Sequence, residues 1–495
     1  MTLDAGLTTA PLNAWAHLAL CLIQAPRFCG GTCAAREAYG VYDGAPYSAA
    51  TMSGRRVSPS AGKNESLPSV RKRSGMMAAI GAVVGMALPA AGGSASDHGG
   101  RLVGVSRSLA STNIAYEAGG EIRTVSVTGS RSRVIGAGES PSWSPDGREL
   151  VFDSARNGFD ENIWLTYEHG AKQRRIVTHD AETDDSSDDF DPAWSPVDDR
   201  IAFVSKRTGN DDIWTTNSIG HSTGNLTHDS SASDRAPAWS PNGESIVFVS
   251  NRRGNDDVFV MHSGQDVTPV AATSAAEDYP AWSPDGRYIA FQTLRDGNWE
   301  IYVSQVDGAG LRRITDDPAA DTRPAWSPDG KQLVFVSDRS GNRQLYIVGS
   351  GGGQAQRLRT EAGVADEPDW QPVVDVALAS TRAVVARVGQ SRRSVFQVAN
   401  RMPLPALSLS LGVRVPGSIG VVQVRASGAV CRRSRVINCS LRRLAMAKPA
   451  LVEITWRARR CGNVQFAASI RGLRVDVDAS NNSLTQRLTV VCKHR

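Results

Sequence analysis

Long apolar runs are missing from this chain of 495 residues. No stretch of eighteen or more apolar residues occurs, which excludes a helix that crosses a bilayer as one continuous segment. Residues 101–375 contain no cysteine, and no Cys/His spacing anywhere matches a zinc site. Walker loops, zincin helices and dinucleotide fingerprints are absent too, so the motifs of nucleotide and metal chemistry give no foothold, and neither a cofactor nor a metal is expected. Aromatics are scarce at 6%, yet eleven of them are tryptophan, which points to a few chosen positions. What is present is a globular composition, 41% apolar, and a length that suits two or three domains.

Charge is also unevenly withheld. Residues 376–495 hold 21 basic residues against only Glu453, Asp476 and Asp478, a net +18. Residues 101–375 carry −16 and residues 1–100 carry +3, so the mild overall +5 is a cancellation between an acidic body and a basic tail.

The segment 70–96 has the order of a secretory signal. Arg71-Lys72-Arg73 is followed by a 13-residue uncharged core ending at Leu88, then Pro89 and small residues through Ser94-Ala95-Ser96. That core is too short to span a bilayer. Its position predicts that residues 1–69 are a misassigned or disordered leader, with translation starting at Val70. Export also fits the cysteines: Cys431, Cys439, Cys461 and Cys492 form an even set of four in the tail. Two disulfides are expected, in any of three connectivities.

An internal repeat dominates the body. Pro141-Ser142-Trp143-Ser144-Pro145 recurs at 192–196, 237–241, 280–284 and 324–328, with an altered copy, Pro368-Asp369-Trp370-Gln371-Pro372. The tryptophans Trp143, Trp194, Trp239, Trp282, Trp326 and Trp370 are spaced by 51, 45, 43, 44 and 44 residues. Ser-Pro-Asp-Gly or Ser-Pro-Asn-Gly then suits a tight turn, Pro pre-setting φ and Gly closing it. Alternating β runs follow, such as Ile246-Val247-Phe248-Val249, then an Arg-x-Gly-Asn turn, a third strand and a shorter fourth. Four short strands per repeat make a propeller blade. Residues 114–127 read as a blade lacking its Trp strand, and the Trp370 strand has no blade after it. The simplest count is six blades, with the Trp370 strand completing the first and closing the ring. The six tryptophans are expected to wedge blade against blade.

This pattern resembles the propeller repeat of the TolB family, periplasmic components of the Tol–Pal system, and of related exported bacterial proteins. The resemblance covers roughly residues 110–372 and implies a six-bladed propeller at 101–375.

Residues 380–495 alternate apolar and polar residues, as in Ser408-Leu409-Ser410-Leu411, with Gly and Pro between runs, and predict a small β-sandwich. The fold class expected is therefore all-β, a six-bladed β-propeller followed by a small Ig-like sandwich. The tail is similar to the CARDB-like and conserved-repeat modules of bacterial surface proteins. The residues that carry this are Asn400 with Pro403-Leu404-Pro405-Ala406, Cys431, Cys439-Ser440-Leu441, and Asp478-Ala479-Ser480-Asn481-Asn482-Ser483. The resemblance implies pairing of Cys431 with Cys439 and of Cys461 with Cys492.

Candidate chemistry is sparse. Gly220-His221-Ser222-Thr223-Gly224 has the G-x-S-x-G form but falls in a turn between blade strands, where no strand–elbow–helix supports a nucleophile. The acidic stretch 180–191 is expected to be a solvated loop, since it lacks the Gly and flanking helices of a calcium loop. Acidic residues recur three places before the repeat Pro at Asp189, Asp234, Glu277 and Asp321, with Asp366 and Glu139 one place off. One per blade, Asp189, Asp234, Glu277, Asp321 and Asp366 are expected to ring one mouth of the channel, where a negative potential would suit a cationic partner. No catalytic residue is assigned.

The basic tail, with clusters Arg432-Arg433-Arg435, Arg442-Arg443 and Arg457-Arg459-Arg460, suits an anionic envelope polymer, lipid headgroups or the acidic propeller itself. Nucleic acid is not expected in an exported protein without interleaved aromatics. The function expected is a non-catalytic binding or scaffold protein, exported to the periplasm, cell wall or medium, taking a protein or peptide at the propeller mouth. The alternative is a hydrolase or lyase acting on a carbohydrate or peptide in the channel.

Overall fold

The computed structural model describes residues 109–492, apart from 157–159, 178–186, 222–223, 229–230, 263–265, 362 and 382–383. The expected leader at 1–69, the expected secretory signal at 70–96, most of the acidic stretch (Asp180, Glu182, Asp184 and Asp185) and Ser222 therefore lie outside the described residues. Among the described residues no helix is long and apolar enough to cross a membrane.

The repeat turn explains how each blade starts. After the Trp, a Ser accepts the Gly N–H on its carbonyl, at 2.9 Å for Ser144 and Gly147 and 2.8 Å for Ser240 and Gly243. That Gly takes a left-handed φ, +72° at Gly147, which a side chain would disfavour. The Ser hydroxyl accepts the N–H of the residue that opens the next strand, Glu149 on Ser144 at 2.9 Å. It donates to the turn carboxylate, Ser144 to Asp146 at 2.6 Å. A four-residue sequence thus fixes the reversal from first to second strand.

Six four-stranded antiparallel sheets result. Five use consecutive strands; one consists of Asp189–Trp194, Arg200–Ser205, Asp212–Asn217 and Gly224–Asn225. In the remaining sheet the strand Asp366–Trp370 pairs with Asn113–Glu117, followed by Glu121–Ser126 and Ser132–Ala137. The ring closes here, and Trp370 Nε1 donates to Thr112 Oγ1 at 3.0 Å across 258 residues of sequence. Closure leaves the first blade with no open inner edge.

The second strands were expected to alternate. Instead they run as continuous buried stretches, apolar in most blades, and Ile246, Val247, Phe248 and Val249 are all buried, because each blade is covered on both faces by its neighbours. One fully buried Phe stands in five of these strands: Phe152, Phe203, Phe248, Phe291 and Phe335. Each contributes about 1.5–3 kcal/mol by leaving water. The repeat tryptophans join blades by packing and by hydrogen bonds. Trp239 Nε1 donates to Ala193 O of the previous blade at 3.1 Å, Trp326 to Ala281 O at 3.1 Å and Trp143 to Asp369 O at 3.3 Å.

The tail is two packed sheets. One has four strands, in the order Val376–Ser380, Ser391–Asn400, Ala450–Ala458, Ile419–Ser427. The other has six, in the order Val384–Arg387, Ser483–Val491, Gly462–Arg471, Ala406–Arg414, Val436–Leu444, Val430–Arg432. Phe396, Trp456 and Phe466 fill the space between them, with Phe466 edge-on to both partners at 6.0 and 6.4 Å. Disulfides join Cys431 to Cys439 and Cys461 to Cys492.

The tail meets the ring at the end where the tryptophans lie. Val373–Val374 pairs in parallel with Val475–Asp476. Met402 packs with Tyr116, Trp370 and Val373, and Leu404 faces the Trp-lined end of the channel. Arg474 is buried here and donates Nη2 to Pro196 O, while its Nε and Nη1 have no partner. Burial pulls its guanidinium down to about 9. Among the described residues no ion pair links a sandwich side chain to a blade. The contact is apolar, with one buried arginine, rather than basic tail against acidic propeller.

Candidate functional site

The five carboxylates expected at the channel mouth stand at the start of the innermost strands, one per blade, and all are buried: Asp189, Asp234, Glu277 and Asp321 are 0% exposed and Asp366 is 3%. Each is met by arginine. Arg207 Nη2 holds Asp189 at 2.8 Å, Arg252 holds Asp234 at 3.0 Å, Arg295 holds Glu277 at 3.2 Å and Arg339 holds Asp321 at 2.6 Å. Asp366 is shared by Arg323, at 2.8 Å, and Arg343. Arg207, Arg252, Arg295 and Arg339 each open the Arg-x-Gly turn, and each guanidinium also lies over an aromatic of its own blade, 4.5 Å from the Trp214 ring centre for Arg207. The charge of this ring is thus neutralised within the protein. Glu139 is exposed.

The residues that do face the channel are those directly before the repeat Pro. A β-bulge interrupts each innermost strand at this point. Ser140, Asp191, Ala236, Tyr279, Arg323 and Glu367 accordingly adopt left-handed φ values between 46° and 52°. For residues other than Gly this costs roughly 1–2 kcal/mol each. The bulge turns these side chains into the lumen. They line a cavity of about 190 Å³, room for about six waters or one long side chain.

Arg323 stands in this wall, Arg235 lies just behind it beside Ala236, and both are committed. Arg323 Nη1 contacts Glu367 Oε1 at 2.6 Å and Asp366 at 2.8 Å. Its Nη2 donates to the Tyr279 hydroxyl at 2.8 Å, with the guanidinium 4.5 Å from the Tyr279 ring centre. Arg235 bridges Asp256 at 2.8 Å and Asp278 at 3.2 Å. On the other side Ser140 is a hub. Its N–H donates to Glu367 Oε2 at 2.6 Å, and its hydroxyl lies 3.2 Å from both Asp191 Oδ1 and Glu367 Oε2.

Among the described residues Asp153, Asp191 and Asp369 make no ion pair, although Arg323 and Arg235 attract Asp191 from farther off. Asp153 is 3% exposed and its Oδ1 has no hydrogen bond. Burial, reinforced by the nearby charges of Asp191 and Glu367, raises its carboxyl well above the usual range. Burial raises Asp191 as well. It pushes Asp369, which accepts the Trp143 N–H at 2.8 Å, up to about 6. Glu367 is pushed up to about 7, by burial and by Asp191, against the pull of Arg323. Beyond this cavity the six repeat tryptophans, their following prolines and Leu404 line a second space of about 200 Å³.

The sequence pattern of the family described as TolB beta propeller domain matches residues 186–279 and 264–392. The ring is a TolB-type propeller. Among solved structures, TolB from Acinetobacter baumannii is 20% identical with a TM-score of 0.47, covering 53% of this chain and 67% of that one. A putative TolB from Agrobacterium tumefaciens is 24% identical with a TM-score of 0.42, covering 50% of this chain and 88% of that one. The tricorn protease is 13% identical with a TM-score of 0.38, covering 76% of this chain and 35% of that one.

Of the remaining sequence candidates among the described residues, Asp191 alone joins this cavity. His221 is exposed in a turn at the outer edge of its blade, beside the short outer strand Gly224–Asn225. From the acidic stretch, Asp188 pairs with Lys206 at 2.9 Å, and Asp191 enters the channel. Sequence reasoning passed over Ser140, Tyr279, Arg323, Glu367 and Asp153. The signal for the first four was their shared place before the repeat Pro, where residue type varies while its surroundings repeat. Asp153 stands where four other blades carry Val204, Val249, Gln292 and Val336 and the first blade carries Glu117.

Proposed function

We propose that this is an exported, non-catalytic binding or scaffold protein of the bacterial cell envelope. Its propeller channel takes a protein or peptide partner from the end opposite the sandwich, through a cationic group such as a lysine or arginine side chain or a free amino terminus. One observation carries the reading: Asp191 lines a side-chain-sized cavity without an ion pair among the described residues, and the buried carboxyl of Asp153 lies near enough to feel its charge. A buried carboxyl left without a partner is costly, and an incoming cation removes that cost. Two formed disulfides and the order of residues 70–96 support the exported setting.

The test is capture from envelope extract by the full chain beside its Asp191→Asn variant, followed by titration of segments of the captured protein. The expected result is a partner segment bearing a cationic residue, bound at least about tenfold more weakly by the variant. Recovery of no protein, together with turnover of an envelope glycan, would overturn the reading.

A second reading, a hydrolase or lyase, draws on Glu367 near 7 beside Asp191, both bonded to Ser140. That pair could share a proton in general acid–base work. It is favoured less because Glu367 is already engaged by Arg323 and by the Ser140 N–H.

A further inference from the structure

The outer face of the six-stranded sheet carries positive charge and no negative charge. Along each of its strands alternate residues point into the sandwich, and the others point out. Arg387, Arg414, Arg432, Arg442, Arg471 and Arg487 all occupy outward positions and all are exposed. The other outward positions on these strands are Ser, Thr, Asn, Gln, Gly, Ala and Val. Strand pairing spaces the arginines over the face with small polar or apolar residues between them: Arg471 is opposite Ser410, which is opposite Ser440, and Arg414 is opposite Ala467, which faces Thr485. At about 4.8 Å per strand the face is roughly 25 Å across.

None of the six arginines makes an ion pair among the described residues. The acidic residues of the tail are used elsewhere: Glu453 binds Arg393 at 3.2 Å on the other sheet, Asp476 accepts the Val376 N–H at 3.1 Å, and Asp478 accepts from Ser480 and Asn481. Nor does the propeller cover this face, since its arginines stay exposed in the whole protein. Six like charges kept unpaired on one flat surface repel each other, and an anionic partner reverses that repulsion.

We infer that this face binds an acidic polysaccharide. Guanidinium groups fork onto carboxylates in two-point contacts. The Ser, Thr, Asn and Gln side chains between them supply donors and acceptors for sugar hydroxyls. The face has no aromatic on which a nucleobase could stack, which separates it from single-stranded nucleic acid sites. Its apolar members are short alanines and valines with no large wedge for a bilayer. This inference stands apart from the channel reading and uses none of its residues.

The test is binding of the full chain to polygalacturonate, with dextran as the neutral counterpart. Single-stranded DNA and vesicles of phosphatidylglycerol and phosphatidylcholine run in parallel. Polygalacturonate should bind and dextran should not, with affinity falling as salt rises. The triple variant Arg414→Ser, Arg442→Ser, Arg471→Ser should lose at least about tenfold in affinity at an unchanged melting temperature. A charge-matched control with Arg425, Arg457 and Arg459 changed to Ser should bind as the parent does. Absence of polygalacturonate binding, equal loss in the control, or tighter binding to DNA or vesicles would each overturn the inference.

Discussion

Arg323 holds Glu367 of the next blade at 2.6 Å while its other nitrogen takes the Tyr279 hydroxyl of the previous blade at 2.8 Å. One side chain thereby ties three successive blades in the wall of the channel cavity. Removing it strands Glu367 in the wall and leaves Asp366 to Arg343 alone. Arg323→Leu should cost about 3–5 kcal/mol, as for a buried pair broken from one side. Arg323→Lys should recover only part of this, because an ammonium cannot reach carboxylates and a hydroxyl in one planar fork. Urea unfolding of the three proteins measures both.

Stability should fall as pH rises. Burial and the Asp191 charge hold Glu367 at about 7, above the usual carboxylate range, so the folded protein keeps a proton that the unfolded chain gives up. The stabilisation is complete at low pH and is lost as pH climbs through about 7. Its size is on the order of 2–3 kcal/mol. Asp153, Asp191 and Asp369 act in the same direction. Urea midpoints between pH 5 and 8 should decline, and Glu367→Gln should flatten the decline. Over the same window affinity for a cationic partner should rise.

Ring closure can be tested at Trp370, which is 4% exposed and bonded to Thr112. Trp370→Ala should destabilise by about 3–5 kcal/mol. Trp370→Phe should lose less, since it keeps most of the packing and gives up the 3.0 Å hydrogen bond. Chemical denaturation of both variants gives the comparison.

The two disulfides should contribute unequally. Loop-closure entropy gives about 2.5 kcal/mol for the shorter loop and about 3.5 kcal/mol for the longer one. The sequence separations are 8 for Cys431–Cys439 and 31 for Cys461–Cys492. Replacing the second pair with serines should therefore lower the melting temperature more than replacing the first.

How much of this was readable beforehand depends on what repeats. The Trp-Ser-Pro-Asp-Gly turn repeats because hydrogen bonds within it are local, so strand order and the role of Trp370 could be read directly. The carboxylates Asp189, Asp234, Glu277 and Asp321 also repeat, and that constancy was misleading. They are constant because each is locked to an arginine 18 residues later, at Arg207, Arg252, Arg295 and Arg339. The offset is visible in the sequence and marks a structural pair. The lumen positions differ from blade to blade because nothing within a blade constrains them. Which of them meet is set by closure of the ring: Ser140 reaches Asp191 and Glu367, which lie 51 and 227 residues away. The basic face was hidden for a similar reason. Its arginines come from six strands and are scattered between residues 387 and 487, so the clusters along the chain differ from the patch on the sheet.

The central claim is that the channel receives a cationic group of a protein partner. A photo-crosslinking residue placed at Ala236, which lines the cavity without a side-chain hydrogen bond, tests it most directly in producing cells. The account predicts crosslinking to a protein at or beside a lysine, an arginine or an amino terminus, lost when Asp153 and Asp191 are both changed to Asn. Crosslinking that survives the double change, or that captures only glycan, would contradict it.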